Sequence, residues 1–360
     1  PAALLAGLAG AWGYMGRKFL DVAVAHGMEV WGYDPGPTPP DVDLSRVIRV
    51  ADEAIFHGLP AGLFHLALHP EHRRLDLLLA RGEPLLVLNE KPMSLPERPE
   101  LCKRIVEDVE KSPATVFYDF PELFDPLTAR LLERLRGYRE VRLTEMFVQR
   151  SKDREDPANP RNRKRMVPIQ YQETVHCLAF ALYVLGTLSG SVENVLGQPL
   201  RLAGDSEPYV PPNPEVYSHP VDGRCRYVAE LGGVRIEGLT DFKRGAPWAK
   251  RRVVRGVGDG TPFEIEVSYL EGQKALRFDG VDQPCDPAAN SYEAVLTTLT
   301  RWSREYRRDQ LMSGVFPNSR FARWTYQLSS ALWRSCRDRA EVAFRAIDEL
   351  DGFDARFSCG

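Results

Sequence analysis

The stretch ALLAGLAGAWGYMGRKFLDVAVAHGMEVWGYD, residues 3–34, decides the fold. Small aliphatic residues lead into a glycine-rich turn, and Phe19, Leu20 and Ala23 then recur at helical spacing. A second apolar run follows and ends at Asp34. This order predicts a strand, a turn, a helix and a second strand, which together form the βαβ unit of a dinucleotide site.

The glycine-rich turn carries a degenerate form of the G-x-G-x-x-G pattern. Its three positions are Ala11, Gly13 and Gly16, with Gly10 just ahead. We expect Gly13 to let the backbone approach a pyrophosphate and Gly16 to let the helix pack close to the strand. Glycine-rich turns also serve plain tight packing, so the pattern alone leaves both interpretations open. The predicted cofactor-binding residues of this turn are Gly10, Ala11, Trp12, Gly13, Tyr14 and Met15.

Asp34 lies where a dinucleotide site places its acidic residue, about twenty residues beyond Gly13. A carboxylate there can accept hydrogen bonds from an adenosine ribose and repel a 2′-phosphate. This favours NAD as the cofactor and does not exclude NADP. The alternative role for Asp34 is to initiate a turn before Pro35 and Gly36.

Strands and helices continue to alternate through the first 120 residues. Strands are predicted at Leu63–Leu68, at LLVLN (85–89) and at ATVFYDF (114–120), with helices between them. Such alternation predicts an α/β fold, with a Rossmann doubly wound parallel sheet covered on both faces. Ligands bind such sheets at the carboxyl ends of the strands. Residues 1–120 are therefore predicted to form an NAD(P)-binding domain.

The motif NEKP, residues 89–92, follows one of these strands directly. Glu90 and Lys91 are thus predicted to lie at the edge of the sheet where a cofactor would bind. Pro92 restricts the backbone and so fixes the direction of the preceding side chain. A surface lysine in an ordinary loop is the alternative interpretation of Lys91.

Taken in order, the glycine turn, the acidic strand end, LALHPEH (66–72) and NEKP resemble the Gfo/Idh/MocA family of sugar and cyclitol oxidoreductases. Members commonly carry a T-P-P-x-x-H segment, which this chain matches incompletely, and an E-K-P motif, which it matches in full. The resemblance covers the first 120 residues well and the rest more loosely. It implies cofactor-binding roles for Leu68, His69, His72, Glu90 and Lys91.

A later family motif, D-x-G-x-H, meets the helical segment YQETVHCLAFALYVLG, residues 171–186. His176 is retained, whereas Gln172 and Thr174 replace the aspartate and the glycine. The resemblance implies that Lys91 holds a substrate hydroxyl and that His176 accepts its proton. Gln172 is neutral, so either Glu173 takes over the missing carboxylate or Gln172 simply binds substrate.

Apolar spacing in this helix predicts one buried stripe and places the histidine beside it. The stripe comprises Val175, Leu178, Leu182 and Leu185. Gln172, His176 and Tyr183 would then lie on an adjacent face, at the boundary of the core. A lone histidine on a helix is commonly structural, and the match to the family motif is what favours a catalytic role.

Residues 121–360 are predicted to form an α+β domain for substrate binding and oligomerisation. A hairpin over Gly232 and Gly233 and the alternating segment FEIEVSY (263–269) predict a large, mostly antiparallel open sheet. Its second face would join subunits into a homodimer or homotetramer. The final helices are candidates to pack back on the N-terminal domain.

Two further sets of polar residues are candidates for substrate binding. The loop QRSKDREDPANPRNRKRM (149–166) is strongly basic, and guanidinium groups bind phosphate and carboxylate bidentately. Arg163 and Lys164 are its substrate candidates, and ion pairing within the loop or across a subunit boundary is the alternative. Asp119, at a predicted strand end, is expected to meet substrate or nicotinamide, or to cap a helix.

Composition limits the other partners of the chain. Its 360 residues include 47 basic and 50 acidic side chains, so neither nucleic acid nor an anionic membrane is expected as the main partner. Six cysteines without C-x-x-C spacing predict free thiols in a reducing cytoplasm and no metal site. The apolar opening PAALLAGLAGAW (1–12) is too short for a membrane anchor and lacks the basic start of a signal peptide.

Three functions remain open at the level of sequence. The first is hydride transfer between a nicotinamide and a secondary alcohol or ketone of a sugar-like small molecule, either neutral or anionic. The second is NAD-assisted glycoside hydrolysis or elimination with no net redox change. The third is a dinucleotide-binding regulatory or scaffold protein in which Ala11, Gln172 and Thr174 mark lost catalysis.

Overall fold

The computed structural model describes residues 4–245 and 247–355. The chain divides into two compact units. The first contains the described residues up to 121 together with 292–323, and the second contains 122–291 and the described residues from 324 onward.

The first unit is built on a six-stranded sheet in which every neighbouring pair of strands is parallel. Its strand order is β3-β2-β1-β4-β5-β6, the order of a doubly wound Rossmann sheet. The fold class predicted for the N-terminal part is therefore confirmed. The strands are β1 (Leu5–Ala9), β2 (Glu29–Tyr33), β3 (Ile48–Val50), β4 (Leu63–Leu66), β5 (Leu86–Asn89) and β6 (Thr115–Tyr118); the helices are α1 (Tyr14–Ala25), α2 (Glu53–His57), α3 (Leu75–Leu79) and α4 (Pro99–Lys111).

Two strands of this sheet are shorter than their apolar runs predicted. The strand expected at Leu63–Leu68 ends at Leu66, and the one expected over 114–120 covers Thr115–Tyr118. In both places the chain leaves the ladder at the carboxyl edge and continues into a connecting loop, which is where ligand-binding residues of such sheets lie.

The second unit contains a nine-stranded sheet that is antiparallel except between β7 and β10. The predicted open, mostly antiparallel sheet is confirmed, and so is the hairpin between β9 and β10, where Gly232 and Gly233 both have positive φ. Its order is β14-β13-β12-β11-β7-β10-β9-β8-β15. The elements up to residue 282 are α5 (Pro121–Phe124), α6 (Pro126–Arg136), β7 (Val141–Ser151), α7 (Val175–Ser189), α8 (Val192–Leu196), β8 (Leu200–Tyr209), β9 (Val221–Leu231), β10 (Val234–Asp241), β11 (Ala249–Gly258), β12 (Thr261–Ser268), β13 (Ala275–Phe278) and β14 (Val281–Asp282).

Helices predominate in the remainder of the chain. Its elements are α9 (Ser291–Glu305), α10 (Arg308–Ser313), α11 (Ser319–Asp338), β15 (Val342–Phe344) and α12 (Ile347–Asp351). Two of these helices are long, α9 with 15 residues and α11 with 20. None of the described helices combines the length and apolarity needed to cross a membrane.

The prediction of a single buried stripe on α7 is wrong. Every residue from Val175 to Gly186 is buried, including His176, which is 4% exposed. The composition of residues 175–186 explains why the helix is buried on all sides, because only His176 and Tyr183 have side chains that form strong hydrogen bonds. A helix that is apolar all round is buried on all sides, so His176 lies inside the second unit.

Candidate active site

Two glycines of the first turn are required by contacts. Gly10 has φ +76°, and a Cβ on it would lie 2.3 Å from the carbonyl oxygen of Ala67. A Cβ on Gly16 would lie 2.0 Å from the carbonyl oxygen of Gly10. Gly16 therefore allows α1 to pack against the turn, as its place in the motif predicts.

The alanine in the first motif position is accommodated by a glycine on β2. Gly32 has no side chain, and a Cβ placed on it would lie 2.9 Å from the Cβ of Ala11. The methyl group of Ala11 occupies the space that any larger residue at position 32 would fill. The departure from the motif is thus compensated within the same βαβ unit.

The amino end of α1 offers backbone donors to an anion. Gly13 is its N-cap, and no side chain caps this end. A Cβ on Gly13 would come no closer than 3.4 Å to other atoms, so this side of the turn is open. Uncapped N–H groups at a helix start bind phosphate, and the helix dipole adds positive potential. Tyr14 and Met15, also predicted here, are half-buried in the first turn of α1.

Asp34 follows β2 and joins it to the glycine turn. Its carboxylate accepts hydrogen bonds from the backbone N–H of Trp12, at 3.0 Å, and of Gly36, at 2.9 Å. The interpretation as a turn initiator is therefore correct, yet two N–H bonds leave acceptor capacity on a carboxylate for ribose hydroxyls. Trp12 itself is buried. These residues fit the pyrophosphate and ribose of a dinucleotide.

Arg73, which the sequence did not single out, binds the backbone around the E-K-P motif. Its guanidinium donates to the carbonyl oxygens of Glu90 and Pro92, both at 2.6 Å, and of Lys91 at 3.2 Å. It also donates to the carbonyl oxygen of Leu68 at 2.8 Å. One side chain thereby connects the two segments that the sequence marked as cofactor-binding.

The remaining residues predicted on these segments differ in exposure. Leu68 is half-buried, whereas His69 and His72 are exposed, before and at the end of a short 3₁₀ turn, Pro70–His72. Lys91 is half-buried and precedes a cis peptide bond to Pro92.

Glu90 belongs to a buried cluster with His65 on β4 and Asp119 after β6. Nε2 of His65 lies 2.8 Å from Oε1 of Glu90, and one ligand-type atom from each of the three residues lies within 4.8 Å of the others. Burial raises the pKa of Glu90 to about 7, against the opposing effects of Asp119 and Arg73. Burial also lowers the pKa of His65 to about 4, so this imidazole is neutral at pH 7.

In the second unit, His176 lies beside a carboxylate that the sequence did not mark. Oε2 of Glu122, on α5, lies 3.7 Å from Nδ1 of His176. Burial acts to raise the pKa of Glu122, but Arg150, His176 and Arg252 together hold it well below its ordinary value. Glu122 is therefore ionised, and it can orient an imidazole and stabilise its protonated form.

Glu173, one of the two alternatives for the missing carboxylate beside His176, is held by basic side chains. It accepts a short hydrogen bond from Arg150, and its Oε1 lies 3.6 Å from Nζ of Lys152 and 3.7 Å from Nη2 of Arg154. Glu173 belongs to a π-helical turn, Gln170–Thr174, that leads into α7. π-Helical turns occur frequently at functional sites.

The two substituted positions of the D-x-G-x-H motif lie in the same π-helical turn. Gln172 is half-buried. Thr174 is buried and shares a 2.6 Å hydrogen bond with Thr240 on β10. The hydroxyl at the glycine position therefore ties this turn to the sheet.

The basic loop divides into a buried and an exposed part. Arg150 and Arg154 are each 5% exposed, whereas Arg163 and Lys164 are exposed. The structure thus brings the first part of the loop, and not its two predicted substrate residues, to the carboxylates near His176. Substrate binding by Arg163 and Lys164 stays a prediction.

Comparison with solved structures identifies the fold. The chain is similar to a myo-inositol dehydrogenase from Corynebacterium glutamicum, at 16% identity and a TM-score of 0.66 over 95% of this chain and 99% of that one. It is also similar to an oxidoreductase from Agrobacterium radiobacter solved with NAD+, L-tartaric acid and magnesium, at 13% identity and a TM-score of 0.68 over 97% and 100%.

A further match is a super-repressor mutant of Gal80p from Saccharomyces cerevisiae, at 11% identity and a TM-score of 0.69 over 98% of this chain and 100% of that one. No protein-family model matches the chain, and no curated protein matches it in sequence. Identities this low show the fold alone. The chain has the fold of the inositol dehydrogenases and related oxidoreductases of the Gfo/Idh/MocA type.

Proposed function

We propose that the protein is an NAD(P)-dependent oxidoreductase. It would transfer a hydride between nicotinamide and a secondary alcohol or ketone of a sugar, a sugar derivative or a cyclitol. The observation that carries the proposal is the E-K-P motif at the carboxyl end of β5. Arg73 ties its backbone to Leu68, and Leu68 in turn lies beside Gly10 of the glycine turn. The similar structures, which include a myo-inositol dehydrogenase and an oxidoreductase solved with NAD+, support it.

The cofactor would be held by the first βαβ unit. The N–H groups at the start of α1 would bind the pyrophosphate, with Gly13 allowing close approach, and Asp34 would accept from the ribose. A bound nicotinamide would supply the hydride chemistry. Asp34 disfavours a 2′-phosphate, so NAD is the proposed cofactor, with NADP as the second candidate.

Two side chains would move and stabilise charge on the substrate. Lys91 would hold the reacting hydroxyl and stabilise its developing negative charge, while His176 would accept its proton. Each such contribution is worth roughly 10² to 10⁴ in rate. Glu122 would stabilise the protonated imidazole. This is the role that the resemblance implies for the carboxylate missing from the D-x-G-x-H motif.

The decisive test replaces Lys91 with methionine, which keeps the length of the side chain and removes its charge. Lys91→Met should lower turnover by about a hundredfold or more, while the Kd for NAD stays within a few-fold of the unaltered protein. Turnover within tenfold of the unaltered protein would contradict the role of Lys91. The exposed Lys103→Met on α4 is a control that should leave turnover unchanged.

A second candidate function, a dinucleotide-binding regulator, is favoured by the similarity to the Gal80p super-repressor. NAD binding with no turnover over a broad polyol panel, together with a specific protein partner, would support it. NAD-assisted elimination is distinguished in the same assay, because product would be released without accumulation of reduced nicotinamide.

We also propose that the nine-stranded sheet joins subunits into a homodimer or homotetramer. The solvent-facing side of this sheet carries ion pairs such as those of Arg255 with Glu145, at 2.9 Å, and with Glu264, at 2.7 Å. Light scattering of the purified protein would give its mass in solution, and a monomer at micromolar concentration would contradict the proposal.

A further inference from the structure

A cluster of five basic side chains lies on one face of the second sheet and at the end of β7. Arg150 on β7 is directly opposite Lys250 on β11, and Val148 is opposite Arg252. Because side chains alternate along a strand, Arg150, Lys250 and Arg252 share a face. Like charges opposite each other destabilise a sheet. The basic cluster comprises Arg150, Lys152, Arg154, Lys250 and Arg252.

Two carboxylates, Glu122 and Glu173, form the ion pairs of this cluster, and neither lies within 4.0 Å of Lys250. Arg150 donates short hydrogen bonds to Glu122 and Glu173, and Nη2 of Arg252 lies 3.6 Å from Oε1 of Glu122. In the described part of the chain, no other carboxylate comes within 4.0 Å of the basic cluster. The cluster therefore holds more positive than negative charge.

Among the described residues, four members of the cluster have donors without a protein acceptor, and one of them is the fully buried Arg252. Among the described residues, Nζ of Lys152, Nζ of Lys250 and the buried Nε of Arg154 donate no hydrogen bond. Arg154 is 5% exposed, and the side chain of Lys152 is 18% exposed. A buried donor left without a partner is destabilising, and a ligand that supplies acceptors removes this destabilisation.

Arg252 is 0% exposed, although its Nε and Nη2 donate no hydrogen bond, so it is out of reach of a ligand. Arg252 donates to the carbonyl oxygen of Gln149 at 2.8 Å and lies over the rings of Phe180 and Tyr269. Arg150 is bound to both carboxylates. These two residues form the base of the cluster, and Lys152, Arg154 and Lys250 remain available to a ligand.

The lowered pKa values of Lys152 and Lys250 agree with a site of positive electrostatic potential. Burial and, to a smaller extent, Arg150 lower the pKa of Lys250 to about 8, against the effects of Glu122, Glu173 and Glu271. Burial likewise lowers the pKa of Lys152 well below its ordinary value, and Glu173 does not compensate. An anion placed beside both ammonium groups would restore their charged forms.

We propose that Lys152, Arg154 and Lys250 form a subsite for an anionic group of the substrate, either a carboxylate or a phosphate. Glu122 connects this subsite to the candidate catalytic residue, since it contacts both the basic cluster and His176. The substrate class is therefore a sugar acid or a sugar phosphate and not a neutral polyol. The interpretation of this anion site as a substrate subsite rests on the proposed function.

Calorimetry on the full chain without cofactor tests the subsite separately from catalysis. D-Galacturonate is compared with D-galactose, and D-glucose 6-phosphate with D-glucose, at fixed ionic strength. We expect one acidic member to bind at least tenfold more tightly than its neutral counterpart, and the pair that shows this distinguishes carboxylate from phosphate. Equal affinities within both pairs would overturn the proposal.

The double variant Lys152→Gln/Lys250→Gln identifies the residues. It should lose about tenfold to a hundredfold in affinity for the preferred anion, since hydrogen bonds to charged groups contribute that much. Lys103→Gln/Lys111→Gln on α4 removes the same charge from exposed positions and should change affinity less than twofold. Unchanged anion affinity in the Lys152/Lys250 variant would overturn the assignment.

Thermal unfolding without ligand separates a binding role from a structural one. The midpoint of the Lys152→Gln/Lys250→Gln variant should equal or exceed that of the unaltered protein, because two partly buried charges in a positive surrounding are removed. A marked fall would show that the lysines only complete structural ion pairs, and would overturn the proposal. Anion binding with no hydride transfer would instead support the subsite and contradict the proposed function.

Discussion

Oε2 of Glu122 lies 3.7 Å from Nδ1 of His176, and both side chains are almost completely buried. Glu122→Gln keeps the shape of this residue and removes its charge. We expect turnover to fall by about tenfold to a thousandfold, because a protonated His176 would lose its neighbouring carboxylate. The acidic limb of the pH profile of kcat should move to lower pH, because His176 without its neighbouring carboxylate becomes less basic and stays unprotonated to lower pH.

Stability provides the second measurement for Glu122. Removing one partner of a buried ion pair costs about 3–5 kcal/mol, and Arg150 would lose one of its two carboxylates. Glu122→Asp keeps the charge and should retain more activity than Glu122→Gln. If Glu122→Gln lowers stability while kcat and its pH profile stay unchanged, Glu122 is structural only.

Arg73 should act through the backbone that it binds. Arg73→Gln removes donors to the carbonyl oxygens around Lys91, so the lysine would be less well positioned. We expect kcat to fall by about tenfold to a hundredfold, because small misplacements of catalytic groups are costly. Arg74→Gln is the matched control, since Arg74 forms partly exposed ion pairs with Glu53 and Asp76. Equal activity of the two variants would contradict the positioning role.

Asp34 should set the preference between the two dinucleotides. Asp34→Asn keeps an acceptor for Trp12 or Gly36 but removes the charge that repels a 2′-phosphate. The Kd for NAD should rise by roughly tenfold, while the Kd for NADP stays equal or falls. Fluorescence titration measures both constants. Asp41→Asn, in an exposed ion pair with Arg17, should leave both unchanged, and an unchanged ratio in Asp34→Asn would argue against ribose binding.

Glu90 should make stability depend on pH in a definite direction. Its pKa is raised from 4.5 to about 7 in the folded protein, so the folded state binds this proton more tightly than the unfolded state. The stabilisation is complete below pH 4.5 and is lost as the pH rises through 7. Glu90→Gln cannot ionise and should therefore gain about 3 kcal/mol over the unaltered protein between pH 4.5 and pH 8.

Denaturant unfolding at several pH values measures this difference for Glu90→Gln. The exposed Glu83→Gln should follow the unaltered protein at every pH. The pKa of His65 is lowered in the folded protein, so the stability that its neutral form provides is lost as the pH falls from 6.5 to about 4. We expect this loss in the unaltered protein and in Glu90→Gln. Parallel stability curves for Glu90→Gln and the unaltered protein would show that Glu90 is not protonated at neutral pH.

The fold was predictable because its signals are local. The spacing of Phe19, Leu20 and Ala23, the turn at Gly232 and the alternation of FEIEVSY each report the structure of the segment that contains them. Hydrophobic periodicity of this kind depends on one surface being buried. It failed on α7, where both the sheet side and the opposite side are covered.

The partners of the candidate site were not predictable in the same way. Glu122 is distant in sequence from His176, as Arg73 is from Lys91, and neither belongs to a motif. Lys250 lies opposite Arg150 only because of the register between β7 and β11. Such contacts depend on tertiary pairing, which residue spacing does not contain. The E-K-P motif was found because a family pattern, and not a physical rule, marks it.

The exchange between Ala11 and Gly32 bears on how dinucleotide sites are detected in divergent chains. The glycine that the motif expects in the turn is instead on the neighbouring strand, where its missing side chain leaves room for the methyl group of Ala11. A search that scores the turn alone would reject such a chain. Scoring the combined size of the residues at positions 11 and 32 would retain it. Such a score would also recover nucleotide-binding proteins in which the glycine lies on the neighbouring strand and not in the turn.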